Sequence, residues 1–182
     1  MQVLATERLA LRWLAEEDAG FILELMNDPD WLRFIGDRGV RTVEDAREYI
    51  ATRLAAMYPR LGFGLYAVEP REGGAPIGIC GLVKRDWLED VDVGFAFLPR
   101  FRGMGYAREA AAATLEHASA LGFSRIAAIV SPENEGSIRL LEKLGLSFER
   151  MARPSGDADE VCVYAGPVAP AGQSRSSSGE IG

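Results

Sequence analysis

Arg100-Phe101-Arg102-Gly103-Met104-Gly105-Tyr106-Ala107 decides how this chain folds, because a strand-like run ends just before it and an alanine-rich helix begins inside it. Upstream, Val91, Val93, Phe95 and Phe97 alternate with Asp92, Gly94 and Ala96, the period of a strand, and Pro99 stops the run. Downstream, Ala107, Ala111, Leu115, Ala118 and Leu121 fall on one helical stripe. Gly103 and Gly105 remove side chains where the backbone must bend and a ligand must come close, so the first amides of the helix can point at a phosphate. The predicted guest is a diphosphate. A triphosphate loop would need a Gly-Lys-Ser/Thr ending, which is absent, and a dinucleotide fingerprint would need glycine where Arg108 stands.

At 182 residues the chain is long enough for one domain with a good core and too short for two ordinary ones. Hydrophobic residues make up 48% and charged residues 26%, the balance of a globular protein. No apolar run of about eighteen residues offers a membrane span. Met1 to Arg8 lacks the basic start and apolar core of an export signal, so the expected location is the cytoplasm. A net charge of −7 argues against a nucleic-acid surface and would favour a cationic or amine substrate. Cys80, Cys162 and the single histidine, His117, lack the spacing of a metal cluster, so no metal is expected. Both cysteines lie in apolar runs and read as buried thiols.

Along the chain, Leu9, Leu11 and Trp13 alternate as a first strand, and Ile22, Leu25 and Met26 form the buried stripe of a helix ended by Asn27-Asp28-Pro29. Asp30 to Arg41 reads as a loop with aromatic content. Thr42 caps a second helix through Ala46, Ile50, Leu54 and Met57, stopped by Pro59. Runs at Phe63–Glu69, Ile77–Val83 and from Val91 predict an antiparallel meander. Ile126 to Val130 is an apolar strand after the long helix, which implies a parallel crossover pair. A short helix over Ile138, Leu141 and Leu144 and a closing hairpin of Phe148–Arg153 with Val161–Ala165 complete residues 1–166 as one domain. Residues 167–182, rich in Pro, Ala, Gly and Ser, read as a flexible appendage.

This order, with Thr6-Glu7-Arg8-Leu9, the glycine loop and Asn134-x-x-Ser137-x-x-Leu140-Leu141-Glu142-Lys143-Leu144-Gly145, resembles the GNAT superfamily of N-acetyltransferases, in particular its Rim-type branch. The resemblance implies an α/β fold with a mixed, mostly antiparallel sheet of about seven strands, a splayed parallel junction and about four helices. It implies acetyl-CoA as co-substrate, its diphosphate on amides from Arg102 through Gly103, Met104, Gly105 and Tyr106 to Ala107. Its pantetheine arm would pair with the strand edge at Ala96, Phe97 and Leu98. Asn134 would touch CoA, cap a helix, or do both.

The implied reaction is direct acetyl transfer to a primary amine, either a protein N-terminus or a small molecule, in a ternary complex. A homodimer is compatible with this reading, as is a non-catalytic module that binds acyl-CoA. An amine with a pKa near 10 must lose a proton before attack. Asp92 is the candidate base, with Asp90 its rival and a solvated strand carboxylate the plainer role. The tyrosine common in the superfamily is absent, Leu141 standing at its expected place. Ser137, one turn earlier, is the candidate hydrogen-bond donor to the leaving sulfur, unless it serves only the helix start. No histidine neighbours either cysteine in sequence to activate a covalent route.

Overall fold

A computed structural model describes residues 1–156 and 158–169. Eight strands form one sheet in the order β1-β2-β3-β4-β5-β6-β8-β7. They are β1 (Gln2–Ala5), β2 (Leu9–Trp13), β3 (Leu65–Pro70), β4 (Gly78–Val83), β5 (Asp92–Phe97), β6 (Arg125–Val130), β7 (Ser147–Ala152) and β8 (Val161–Pro167). Every neighbouring pair is antiparallel except β5 and β6, which run parallel. The helices are α1 (Ala19–Met26), α2 (Pro29–Phe34), α3 (Val43–Tyr49), α4 (Met57–Leu61), α5 (Tyr106–Ala120) and α6 (Glu135–Lys143).

The two faces of the sheet are covered by different helices. On one, Ala67, Ile79 and Leu98 pack under Ile22 and Leu25 of α1 and Ala46 of α3. On the other, Tyr66, Val68, Cys80 and Phe97 pack under α5, whose Ala110 and Ala111 are fully buried. Small residues there let the helix axis lie close to the strands.

The mostly antiparallel sheet, expected at about seven strands, has eight, Gln2–Ala5 pairing with β2 across the Thr6-Glu7-Arg8 turn. Two sequence expectations need correction. Asp30 to Arg41 is not all loop: Asp28 caps α2, its carboxylate accepting from the Trp31 amide, and Pro29 sits at the first helical position, where its missing N–H costs nothing. Pro59 does not stop the second helix. The chain passes from α3 through a π turn, Ile50–Leu54, into α4, where Pro59 lies in the first turn. At the C-terminal end of the sheet, Pro167 completes β8 and the Val168 amide donates to Ser124 O at 3.0 Å. The remainder of the expected appendage, from residue 170 on, lies outside the described residues.

Candidate active site

The parallel pair is where the sheet opens. Asp92 and Ala127 are the one pair in register between β5 and β6, and the Ala127 amide donates to Val91 O at 3.0 Å. On the other side β5 is fully paired with β4, Ala96 opposite Ile79, and the Leu98 amide donates to Ile77 O at 3.0 Å. Ladder alternation therefore turns the amides of Ala96 and Leu98 toward β4, and those of Phe95 and Phe97 toward the open edge. Of the three residues expected at the pantetheine edge, Phe97 has the free N–H. Phe95 joins it, and Leu98 is a buried core side chain.

The glycine loop follows a 3-10 turn over Pro99–Phe101. Gly103 (φ 73°) and Gly105 (φ 83°) both adopt left-handed backbone, which only glycine enters without strain. The Arg102 amide is occupied by Pro99 O at 3.2 Å, so the free donors begin at Gly103. Among the described residues the amides of Gly103, Met104 and Gly105 have no backbone acceptor, and those of Tyr106 and Ala107 open α5, where no intrahelical acceptor exists. A run of such donors at a helix N-terminus is chemically an anion cradle. The loop is braced from the β1–β2 turn: Arg8 donates to Met104 O at 3.0 Å and to Glu109 Oε2 at 2.6 Å, while Thr6 Oγ1 donates to Glu109 Oε1 at 2.6 Å. Burial alone would raise the Glu109 carboxyl; the bonds from Thr6 and Arg8 outweigh it and hold the group below the usual range.

A cavity of about 590 Å³ joins these parts. Its walls include Ala96, Phe97, Arg102, Gly103, Gly105, Tyr106, Ala107, Asn134 and Ser137 from the expected site, together with Phe95, Leu140, the α2 residues Trp31 and Phe34, and Ile35 at the end of that helix. Met104 and Leu98 do not line it: the Met104 side chain is exposed and Leu98 is buried in the core. Asn134 caps α6, its Oδ1 accepting from the Ser137 amide at 3.1 Å. Ser137 is half-buried, and among the described residues its hydroxyl has no partner. Leu141 points into the core at 1% exposure and Leu140 occupies the cavity wall, so α6 offers no phenol at either position.

Asp92 stands apart. Both its oxygens lie 3.2 Å from Arg85 Nε, it is 1% exposed, and it does not line the cavity. Burial pushes its carboxyl up to about 6 against the pull of Arg85. Asp90 pairs with Arg125 at 2.9 Å on the surface side. Cys80 is buried beside Thr114 Oγ1 at 3.3 Å, its thiol pushed by burial up to about 12, and burial also raises Cys162. Neither thiol has the character of a nucleophile at neutral pH. His117 faces the Tyr66 hydroxyl at 3.4 Å, and burial lowers its pKa.

Beside the Arg102–Asp30 ion pair, the cavity wall carries Arg108, Arg139 and Lys143 and no other carboxylate, although the whole chain is acidic. Net charge therefore misdirects here: the carboxylates lie elsewhere and the wall suits an anion. A profile described as Acetyltransferase (GNAT) domain matches residues 8–147. The chain belongs to the GNAT acetyltransferase family. YoaA of Bacillus subtilis, described as an uncharacterized N-acetyltransferase, is 30% identical over 155 residues, which cover 83% of this chain and 86% of YoaA.

The crystal structure of a GNAT-family acetyltransferase from Bacillus anthracis superposes with a TM-score of 0.74 at 28% identity, covering 92% of this chain and 98% of that one. The ribosomal L7/L12 α-N-protein acetyltransferase RimL, solved with coenzyme A, reaches a TM-score of 0.77 at 17% identity over 92% of this chain and 98% of its own. That likeness is one of fold. GNAT enzymes use acetyl-CoA, and the left-handed glycines, the free loop amides and the open edge at Phe95 and Phe97 fit its diphosphate and amide-bearing arm.

Proposed function

We propose that this GNAT protein transfers an acetyl group from acetyl-CoA directly to a primary amine, on a protein N-terminus or a small molecule, within one ternary complex. The observation that carries this reading is convergence: the anion cradle, the open β5 edge and the unpartnered Ser137 hydroxyl all face one cavity. Bound acetyl-CoA supplies the activated acyl group. Gly103 to Ala107 hold the phosphates, the Phe95 and Phe97 amides orient the arm, and Ser137 donates a hydrogen bond where negative charge grows on the departing sulfur. RimL, described as acting on the α-amine of a ribosomal protein, supports including protein N-termini among acceptors.

Asp92 acts, in this reading, as the proton acceptor through a water relay, since it does not reach the cavity wall itself. With its pKa at about 6, kcat/KM should fall on the acid side near that pH in the parent, and Asp92→Asn should lose that limb and turn over slowly at neutral pH. A profile identical to the parent removes Asp92 from the mechanism.

Thiol release with an amine panel tests the function as a whole. A binding module would bind CoA and release none. Ser137→Ala is expected to lower kcat about tenfold with little change in acetyl-CoA affinity, the pattern of an interaction made mainly in the transition state. Cys80→Ala and Cys162→Ala should retain turnover, and intact mass after mixing with acetyl-CoA alone should show no acetyl adduct. A stoichiometric cysteine adduct chased off by amine would overturn direct transfer.

A further inference from the structure

Arg102 lies in the glycine loop, yet its side chain faces away from the cradle's work. The guanidinium Nε donates to Phe97 O at 2.9 Å, Nη1 to Asp30 Oδ2 at 2.5 Å and Nη2 to Asp28 Oδ2 at 2.5 Å. Three acceptors from two distant parts of the chain thus fill one rigid planar fork. The Phe97 carbonyl belongs to the open edge of β5, where β6 has already diverged. Without Arg102 it would be an unpaired acceptor beside the cavity.

Asp28 is the residue that starts α2: the same Oδ2 that meets Arg102 accepts from the Trp31 amide at 3.3 Å. Asp30 is in the first turn of that helix. Trp31 and Phe34 of α2, with Ile35 just after it, form an apolar wall of the cavity. The helix is only six residues long, below the length at which a helix holds itself, so its placement depends on its ties. Its other charged tie, Arg33 to Glu133 at 2.8 Å, is 62% and 68% exposed and is weak for that reason.

We infer that Arg102 is a positioning residue that couples occupancy of the CoA loop to the placement of α2, an apolar wall of the same cavity. The inference rests on the proposed acetyl-CoA reading. Ligand on the Gly103 to Ala107 amides and on the Phe97 edge fixes the two backbone points between which the guanidinium is strung, and the far end of that guanidinium holds the start of α2. Two sites joined by one element with differential contacts are energetically linked in both directions. Occupancy of the loop and placement of the α2 wall therefore favour one another.

Hydrogen exchange with free CoA as the probe tests this on the full chain. In the parent, CoA should slow exchange in the loop and also at Leu32, Ile35 and Gly36, whose amides donate within and just after α2, by about fivefold or more. Arg102→Lys cannot reach three acceptors at once. It should still bind CoA and protect the loop while protection at Leu32 to Gly36 is lost. Asp30→Ala, at an exposed position, removes one arm without burying an unpaired charge and should reduce that protection in a folded protein. CoA that protects the loop but leaves α2 unchanged in the parent, or protects α2 equally in all three proteins, overturns the coupling alone. CoA that protects neither segment in the parent overturns the acetyl-CoA reading and the coupling with it.

Discussion

Gly105→Val should weaken acetyl-CoA binding by at least about a hundredfold, a loss near 2.7 kcal/mol, and abolish the rise in melting temperature that the cosubstrate gives the parent. Gly105 holds φ at 83°, and a Cβ built there comes within 3.3 Å of Arg8 Nη2. A β-branched residue is forced out of the left-handed region, so the loop must rotate and its amides no longer converge. The same movement presses on Arg8, which braces the loop through Met104 O and Glu109.

Gly122→Val provides the control. That glycine, φ 93°, ends the far side of α5 with nothing within 4 Å of its built Cβ. The strain is similar and the site is distant, so stability should fall and affinity should persist. Calorimetric titration of acetyl-CoA into both variants separates the outcomes, and an unchanged Kd in folded Gly105→Val would place the diphosphate elsewhere.

The cradle was legible because its signal is local: an alternating run, two glycines and a helical stripe lie within consecutive residues. The parallel junction was legible for a related reason, since strand, helix and apolar strand in that order leave one handed connection. The missed pieces are short or distant. β1 is only four residues long, Gln2-Val3-Leu4-Ala5, and declares itself through its partner Leu9–Trp13. Asn27-Asp28-Pro29 carries a signal for either end of a helix; read as a stop for α1 it concealed the start of α2, which a cap followed by proline at the first position could have revealed.

The Arg102 clamp joins residues more than seventy positions apart, and no pattern in sequence encodes such a meeting. Asp92 shows the limit of periodicity most clearly. Alternation puts it on the face opposite Val91 and Val93, and a solvated carboxylate is the ordinary consequence. The segment from Lys84 to Asp90 instead folds back over that face, Leu88 is buried at 4% exposure beside Ala127, and the carboxylate is enclosed with Arg85.

That enclosure yields the second large effect: Asp92→Asn should stabilise the fold near neutral pH while it impairs turnover. The folded-state pKa of about 6 exceeds the ordinary value of 3.8, with burial the leading cause and Arg85 opposing it. A carboxyl whose folded pKa is raised contributes fully to stability below its unfolded pKa, when it is neutral in both states, and that contribution is lost as pH rises through the folded pKa. Between about pH 4 and pH 6 the parent should therefore lose on the order of 3 kcal/mol through this one group, the difference of the two pKa values at 1.36 kcal/mol per unit.

Asparagine reproduces the shape of the neutral acid and cannot ionise, and Arg85, with 30% of its side chain exposed, can turn to water once its partner is uncharged. Melting curves of parent and variant should nearly coincide at pH 4 and separate by pH 7.5 with the variant higher. Subtracting one from the other cancels the remaining titrating groups, which the two proteins share. A constant difference across that range, or a parent that is the more stable at pH 7.5, would show that Arg85 compensates the buried charge and that Asp92 is an ordinary ion-pair partner. Stabilisation together with loss of the acid limb in kcat/KM would mean that this carboxylate is kept ionisable at a cost to the fold because the reaction needs it.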